Sequence, residues 1–288
     1  MLSLIVNPSA GGGRAGRALD GVRAELTAHR LEHHFELTTS LEHARELARA
    51  AAAAGERAVA FGGDGLVGAV AGALTGSDGI LGVLPGGRGN DFARVLGIPL
   101  EPRAACAVLA RGEVRELDLG EAGGNTFIGI ASCGFDSDAN RIANETRIVR
   151  GNLVYAYGAL RTLLTWKPAN FTIKLDGQAR TVSGYTVAAA NSGAYGGGML
   201  LAPDASLQDG LLDVVIVSHA SKLRFLRGLP KVFKGEHIHE PNVEVLRAER
   251  IEVSADRPFT MYADGDPIAE LPVTVRALRG AVSVIVPR

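Results

Sequence analysis

The chain has 288 residues, 47% of them hydrophobic and 21% charged, with a formal net charge of −1. That length can bury one large core or two medium ones, and the near-neutral charge argues against a general nucleic-acid binder. Cys106 and Cys133 are the only cysteines and offer neither metal-ligand spacing nor a disulfide framework, which fits a reducing compartment.

In chain order, "LSLIV" reads as a strand, "GRALDGVRAELTAHR" as a helix, "HHFELTT" as a strand and "LEHARELARAAAAAG" as a helix. "RAVAFGG" is a buried strand, "LVGAVAGAL" a helix and "ILGVLPGG" a strand; a helix from about Pro102 to Arg111 then precedes "EVRELDLGEA". This alternation predicts βαβ units around a parallel sheet. From about Thr126 the style changes to "TFIGIAS", "ANFTIKLDG", "ARTVSGYTVAAANS", "LLDVVIVSH", "NVEVLRAERIEVSA", "FTMYADG", "LPVTVRAL" and "AVSVIVP". Runs of strands predict a second, mostly antiparallel β domain, interrupted by helices near 147–164 and 222–234. The expected domains are 1–121, α/β, and 122–288, β-rich, with the final segment free to pack back on the first.

Three glycine loops follow strands of the first sheet, at its carboxyl edge, where open α/β sheets bind ligands. In "VNPSAGGGRAG", Gly11, Gly13 and Gly16 match G-x-G-x-x-G, with Glu36 some 20 residues on, a weak Rossmann match. Glycines beside a helix N-terminus, with Arg14 and Arg17 adjacent, suit phosphate in any case. The second loop is Gly62-Gly63-Asp64-Gly65 and the third is "PGGRGNDFAR". No Walker A lysine loop is present. Asp64 has an ordinary reading as a helix N-cap, and Asp91 could cap a helix starting at Phe92. Two carboxylates among glycine-lined phosphate sites also suit a magnesium–nucleotide site.

"NPSAGGG", "GGDG", "LPGGRGNDFARVLGIP", "DLG" at 118–120, "NSGAYGGGMLLAPDASLQDGLLDV" and "ADGD" at 263–266, in this order, resemble the diacylglycerol kinase catalytic family and its bacterial lipid kinase branch. The resemblance covers nearly the whole chain. It implies an ATP-binding first domain, a β-sandwich that helps form the lipid site, and phosphoryl transfer from ATP, with magnesium, in the cleft between them. It makes Gly62, Gly63, Asp64, Gly65 and Leu66 the phosphate loop. Asn7, Gly11, Gly12, Gly13, Arg14, Thr38, Arg88 and Asn90 join them around the nucleotide, and Asp91 joins the metal network. Asp209 would supply a carboxylate to a second-domain magnesium loop, with backbone oxygens from Ser206 and Leu211, and Asp118 through water. The family's "DGE" is Asp264-Gly265-Asp266 here, so Asp264 or Asp266 is the candidate base; a hairpin turn is the ordinary reading of the same residues.

The sequence departs from the family at Leu66 and Arg88, each in place of a usual threonine, and at Gly68-Ala69 in place of Asn-Glu. Arg88 offers forked, charged donors in exchange. "SKLRFLRGLPKVFKGEHIH" places Arg224, Arg227, Lys231 and Lys234 at helical spacing beside apolar residues, a pattern suited to anionic headgroups, although such apolar residues also serve a domain's own core. No apolar run reaches the roughly 20 residues a spanning helix needs, and no charged leader is seen. The expected location is therefore cytoplasmic, peripheral to the inner face of the membrane, with a homodimer open. The leading expectation is an ATP- and magnesium-dependent lipid kinase that converts diacylglycerol to phosphatidic acid. Rival expectations are a kinase for another lipid alcohol (a sphingoid base or phosphatidylglycerol), a non-catalytic nucleotide- or lipid-binding regulator, and a dehydrogenase.

Overall fold

The mostly apolar run LSLIV forms β1 (Leu2–Val6), an interior strand of the first sheet in which all five residues, Ser3 included, are buried. It pairs in parallel with β2 (His33–Leu37) and β3 (Arg57–Gly62), and β3 pairs in parallel with β4 (Ile80–Pro85). β3 and β4 are buried along nearly their whole length, as strands covered on both faces must be. The covering helices are α1 (Ala10–Ala28), α2 (Leu41–Ala53), α3 (Asp64–Leu74), α4 (Asp91–Val95) and α5 (Pro102–Arg111). Local chemistry sets their starts: Ser40 Oγ accepts from His43 N at 3.0 Å, and Glu101 caps α5 just before Pro102. The computed structural model describes residues 1–135, 137–138, 142, 161–163 and 166–288.

The second layer system is antiparallel. β7 (Ile130–Gly134), β8 (Ala169–Leu175) and β10 (Leu212–Ser218) all pair with β9 (Gln178–Ala190), and β11 (Val243–Ala248) pairs with β10. β12 (Arg250–Ala255) lies on β8, while the hairpin of β13 (Thr260–Ala263) and β14 (Asp266–Glu270) lies on β7. The aromatic and aliphatic core here includes Phe127, Phe171, Tyr185 and Phe259, separate from the first core around Leu4, Phe61 and Leu84. The result is an N-terminal α/β domain with parallel strands and a C-terminal antiparallel sandwich-like domain.

β15 (Val273–Val286) belongs to both. Its first part pairs with β12 and buries Val273 and Val275 in the second core. Its last part pairs in parallel with β4 and contributes Val282, Val284, Ile285 and Val286 to the first. β5 (Glu113–Ala122) follows it antiparallel from Glu113 to Ala122, and the register shifts between Leu278 and Val282. The sequence shows two strands here; the ladder on β5 makes them one.

Other differences are local. "TFIGIAS" is broken into β6 (Asn125–Phe127) and β7. β14 is a strand that the proline and two acids of "DPIAE" disguise. α1 begins further back than its periodicity indicates only because Gly11, Gly12 and Gly13, with φ of 60, 69 and 84°, form a left-handed turn ahead of the regular helix. The helix expected near 147–164 falls outside the described residues, apart from residues 161–163, which are helical. The basic amphipathic segment is helical as α6 (Lys222–Val232).

Candidate active site

The three glycine loops meet backbone to backbone. Gly86 N and Gly87 N donate to Gly62 O at 2.7 and 3.1 Å, which lays the third loop on the second. A Cβ on Gly87 would stand 2.5 Å from Gly63 Cα, and one on Gly11 would strike the Gly86 carbonyl. Glycine is thus required at both places by close approach, and at Gly11 by its φ as well. Asn90 is buried in a left-handed conformation and closes the third loop by accepting from Gly87 N at 2.8 Å and donating to Gly87 O at 3.1 Å.

Asp64 lies in the first turn of α3, and its cap bond runs elsewhere. Oδ1 accepts from Phe92 N at 3.1 Å, so Asp64 caps α4 across the loops. The cap reading of Asp91 is therefore corrected: α4 begins at Asp91 itself, and the Phe92 amide is already satisfied by Asp64. Asp91 is 7% exposed. Its Oδ2 accepts from Gly197 N of the second domain at 2.7 Å, while Oδ1 has no hydrogen-bond partner. Burial pushes the Asp91 carboxyl upward, and the charge of Asp64 adds to this against the Gly197 amide and Arg94. A Cβ placed on Gly89 would lie 3.1 Å from Asp91 Oδ2 and 3.2 Å from Asp64 Oδ2, so the two carboxylates flank one small space.

The second domain brings two more. Asp264 sits at the β13–β14 turn with φ 53°, followed by Gly265 at 96°, the paired left-handed residues of a tight hairpin. Its Oδ2 accepts from Ile128 N and its Oδ1 from Gly129 N, both at 2.9 Å. Burial is the main cause that raises its carboxyl to about 7; the two amides oppose it, and the nearby charges of Asp64 and Asp266 add to it. Asp266 is exposed and reaches toward Gly65 of α3, where its Oδ2 stands 3.4 Å from the position of a Cβ. The residue is exposed as a whole, yet the protein beside its carboxyl strips away enough water to raise it.

Not every expected nucleotide contact faces this space. Leu66 is buried, its side chain lies over Gly62 and its amide donates to Gly63 O at 3.0 Å, so neither is available to a phosphate; that expectation is corrected. The Arg14 guanidinium donates to Leu100 O at 2.8 Å, tying α1 to the segment after α4. Asn7 accepts from Ser9 N and Thr38 donates to Ser40 O, both just past their strands on the same sheet edge. Arg88 is exposed at the tip of the third loop.

The expected metal residues separate into two groups. Asp91 stands with Asp64. Asp118 instead accepts from Gly280 N and Gly210 N, both at 2.7 Å, and its own amide donates to Leu207 O at 2.7 Å. It thereby anchors the loop in which Asp209 Oδ1 accepts from Leu211 N and Ser206 Oγ accepts from Gln208 N. Among the described residues no three His, Cys, Asp or Glu side chains are arranged to hold a metal ion by themselves. Sequence reasoning missed the donors Ile128, Gly129 and Gly197. Only the glycine inside the strand pattern "TFIGIAS" hinted at the break that turns two amides toward Asp264.

Residues 1–122 match the family described as diacylglycerol kinase catalytic domain, and residues 129–286 match the YegS C-terminal NAD kinase beta sandwich-like domain. The chain belongs to the diacylglycerol kinase family of lipid kinases. A diacylglycerol kinase of Mycobacterium tuberculosis is 36% identical across 100% of this chain and 95% of its own length. One from Bacillus subtilis is 32% identical across 80% and 77%, and a probable lipid kinase YegS-like of Pseudomonas aeruginosa 32% identical across 92% and 89%. Solved structures from Bacillus anthracis str. Sterne share the fold: one at 24% identity gives a TM-score of 0.82, and another, described as a diacylglycerol kinase, 0.77 at 22%. Each covers 99% of this chain and 96% of its own. As a lipid kinase the chain uses ATP, and the dehydrogenase and binding-only readings fall away. No helix among the described residues is long and apolar enough to cross a membrane.

Proposed function

We propose that this lipid kinase transfers the γ-phosphoryl group of ATP to the free hydroxyl of diacylglycerol, in the cleft between its domains, at a membrane surface. The relatives named diacylglycerol kinase support the acceptor. The observation that carries the mechanism is Asp264, held by two amides, raised to about 7 and aimed at the first turns of α3, where a Cβ on Gly68 would lie 3.5 Å from its Oδ2.

In this reading the Asp64 and Gly65 amides at the start of α3 and the Gly11–Gly12 backbone of the first loop receive the phosphates, the Gly13 amide being taken by Ser9 O, with Asn7 and Thr38 at the nucleotide rim and Arg88 reaching over it. Asn90 keeps the third loop closed. Asp264 accepts the proton of the attacking hydroxyl; a base with a pKa near 7 is matched to that task at neutral pH. Asp266, exposed and unheld, orients the acceptor or a water.

The donor set fits magnesium. Asp64 and Asp91 flank one space, Asp91 Oδ1 accepts no hydrogen bond and has only the Arg94 guanidinium at 4.0 Å near it among the described ion pairs, and both Asp91 and Asp264 are raised partly by the charge of Asp64. Two carboxylates completed by phosphate oxygens and water are the usual way this ion is held. Bound there, magnesium would neutralise phosphate charge. Asp209, with backbone oxygens of Ser206 and Leu211 and with Asp118 behind them, is the candidate second loop, of structural use.

The test is transfer of labelled γ-phosphate from ATP to long-chain diacylglycerol in mixed micelles, with magnesium and with chelator, beside a sphingoid base and phosphatidylglycerol. Labelled phosphatidic acid that disappears with chelator is expected. Label on another alcohol alone would overturn the acceptor, and chelator-resistant transfer would overturn the metal.

A further inference from the structure

The surface of α6 carries three parallel stripes. Leu223, Leu226, Pro230 and Phe233 recur at spacings of 3, 4 and 3, and so do Arg224, Arg227, Lys231 and Lys234, one residue later. Such spacings put each set on its own strip of helix surface, which Phe233 and Lys234 continue at the C-cap and in the turn just past it. The third strip, Phe225, Leu229 and Val232, faces inward. Phe225 stacks on Tyr185 at 4.5 Å between ring centroids and meets Phe135 at 4.7 Å, and Val232 packs against the small core around Ile130 and Leu201.

The helix is fixed in place: Ser221 Oγ accepts from Arg224 N, the Tyr185 hydroxyl donates to Ala220 O at 2.9 Å, and Leu200 N donates to Val232 O at 2.9 Å. Its outer apolar strip is nevertheless bare. Leu223 is 58% exposed, Leu226 40% and Phe233 58%, which makes this segment the densest concentration of exposed large hydrophobics among the described residues. Single exposed leucines need no explanation, whereas a contiguous strip does. Residues 222–235 contain no acid, and Glu240, just beyond them, pairs with Lys231 and also feels the charge of Arg224.

The geometry points to α6 as a docking helix for an anionic lipid bilayer, lying in the interface plane with Leu223, Leu226 and Phe233 in the headgroup–acyl boundary and Arg224, Arg227 and Lys234 on lipid phosphates. The choice of a bilayer over a protein partner rests on charge complementarity along a strip that is apolar on one side and uniformly basic on the other. This rests on the lipid-kinase activity for its purpose, not for its chemistry. The helix also gives the enzyme an orientation, since Phe225 on its inner side is part of the aromatic core of the domain that carries Asp264.

Two double variants test it in the full chain: Leu223→Ser with Phe233→Ser, and Arg227→Gln with Lys234→Gln. All four side chains point to solvent, so folding should be unchanged by circular dichroism. Co-sedimentation is measured with vesicles of phosphatidylcholine, with and without phosphatidylglycerol. The wild type should prefer the anionic vesicles. Removing two cations should weaken anionic binding by roughly 30-fold and the preference with it, and the serine pair should weaken binding to both vesicle types. Transfer to a short-chain diacylglycerol dissolved as monomer should be unaltered, while transfer to vesicle-borne long-chain diacylglycerol falls with binding. Wild-type binding by either variant, pelleting without vesicles, or an equal loss of activity on the dissolved lipid would each overturn the assignment. If the wild type phosphorylates no lipid alcohol yet the variants still lose vesicle binding, α6 stands as the docking helix and the acceptor reading fails.

Discussion

Asp264→Asn offers a prediction in which catalysis and stability move in opposite directions. The folded carboxyl at about 7 lies some three pH units above an unfolded aspartate at about 3.9. Between those values the folded state binds more protons than the unfolded one, so stability is lost as pH rises through this window, by about 4 kcal/mol in total. Asparagine removes that cost at pH 8, and its side chain tolerates the left-handed backbone at φ 53°. Its Oδ1 can accept from only one of Ile128 N and Gly129 N, leaving the other facing an NH₂ group at a cost of about 1–3 kcal/mol. The variant should therefore be more stable than wild type at pH 8 by about 1–3 kcal/mol and no more stable near pH 4, as read by denaturant melts at the two pH values. Its kcat should fall by about 10²–10⁴. In the wild type kcat/KM should rise about tenfold per pH unit below 7 and level above it. A variant destabilised equally at both pH values, or one of full activity, would refute the assignment of Asp264 as a half-buried, charge-strained base.

Asp64→Asn should keep its Oδ1 bond to Phe92 N and hence the fold, while phosphoryl transfer drops by at least about 100-fold because charge facing Asp91 is lost; wild-type rates would remove Asp64 from the site. Gly11→Ala forces a Cβ against the Gly86 carbonyl at a positive φ, and should cost about 2–4 kcal/mol in chemical denaturation; a change near zero would mean the three loops are not locked together. Arg88→Ala, at an exposed loop tip, should leave stability unchanged and raise KM for ATP by roughly tenfold, and an unaltered KM would return Arg88 to the status of a solvated loop residue.

The sequence made the α/β half legible because its signals are local: apolar runs for β1, β3 and β4, and glycine loops at their ends. The carboxylates of the site were legible as residues because each stands on such a turn. Their partners were not. That Asp64 caps a helix 28 residues away, that Asp91 takes its hydrogen bond from Gly197, and that Asp264 binds the break after β6 all depend on how the two halves meet. Leu66 shows the converse. Its place in a phosphate-loop motif suggested ligand contact, and only the packing over Gly62 reveals a core residue. β14 escaped because it is the edge strand of its sheet, where a proline and a polar composition without clear alternation are tolerated.

The double membership of β15 bears on how the two halves are joined. A fragment ending at residue 122 would contain the whole match to the catalytic-domain family, yet it would lack the four valine and isoleucine side chains of residues 282–286 and leave the outer edge of β4 unpaired. The nucleotide half is thus not an autonomous unit, because the last residues of the chain complete it. Nor are the halves two bodies on a tether. β5 and β15 run together across the junction, and Asp118 fastens the Gly280 amide at the point where their register shifts. Any opening of the proposed cleft would therefore twist a hydrogen-bonded ladder about that point, a torsion spring whose rest position is set by the sheet.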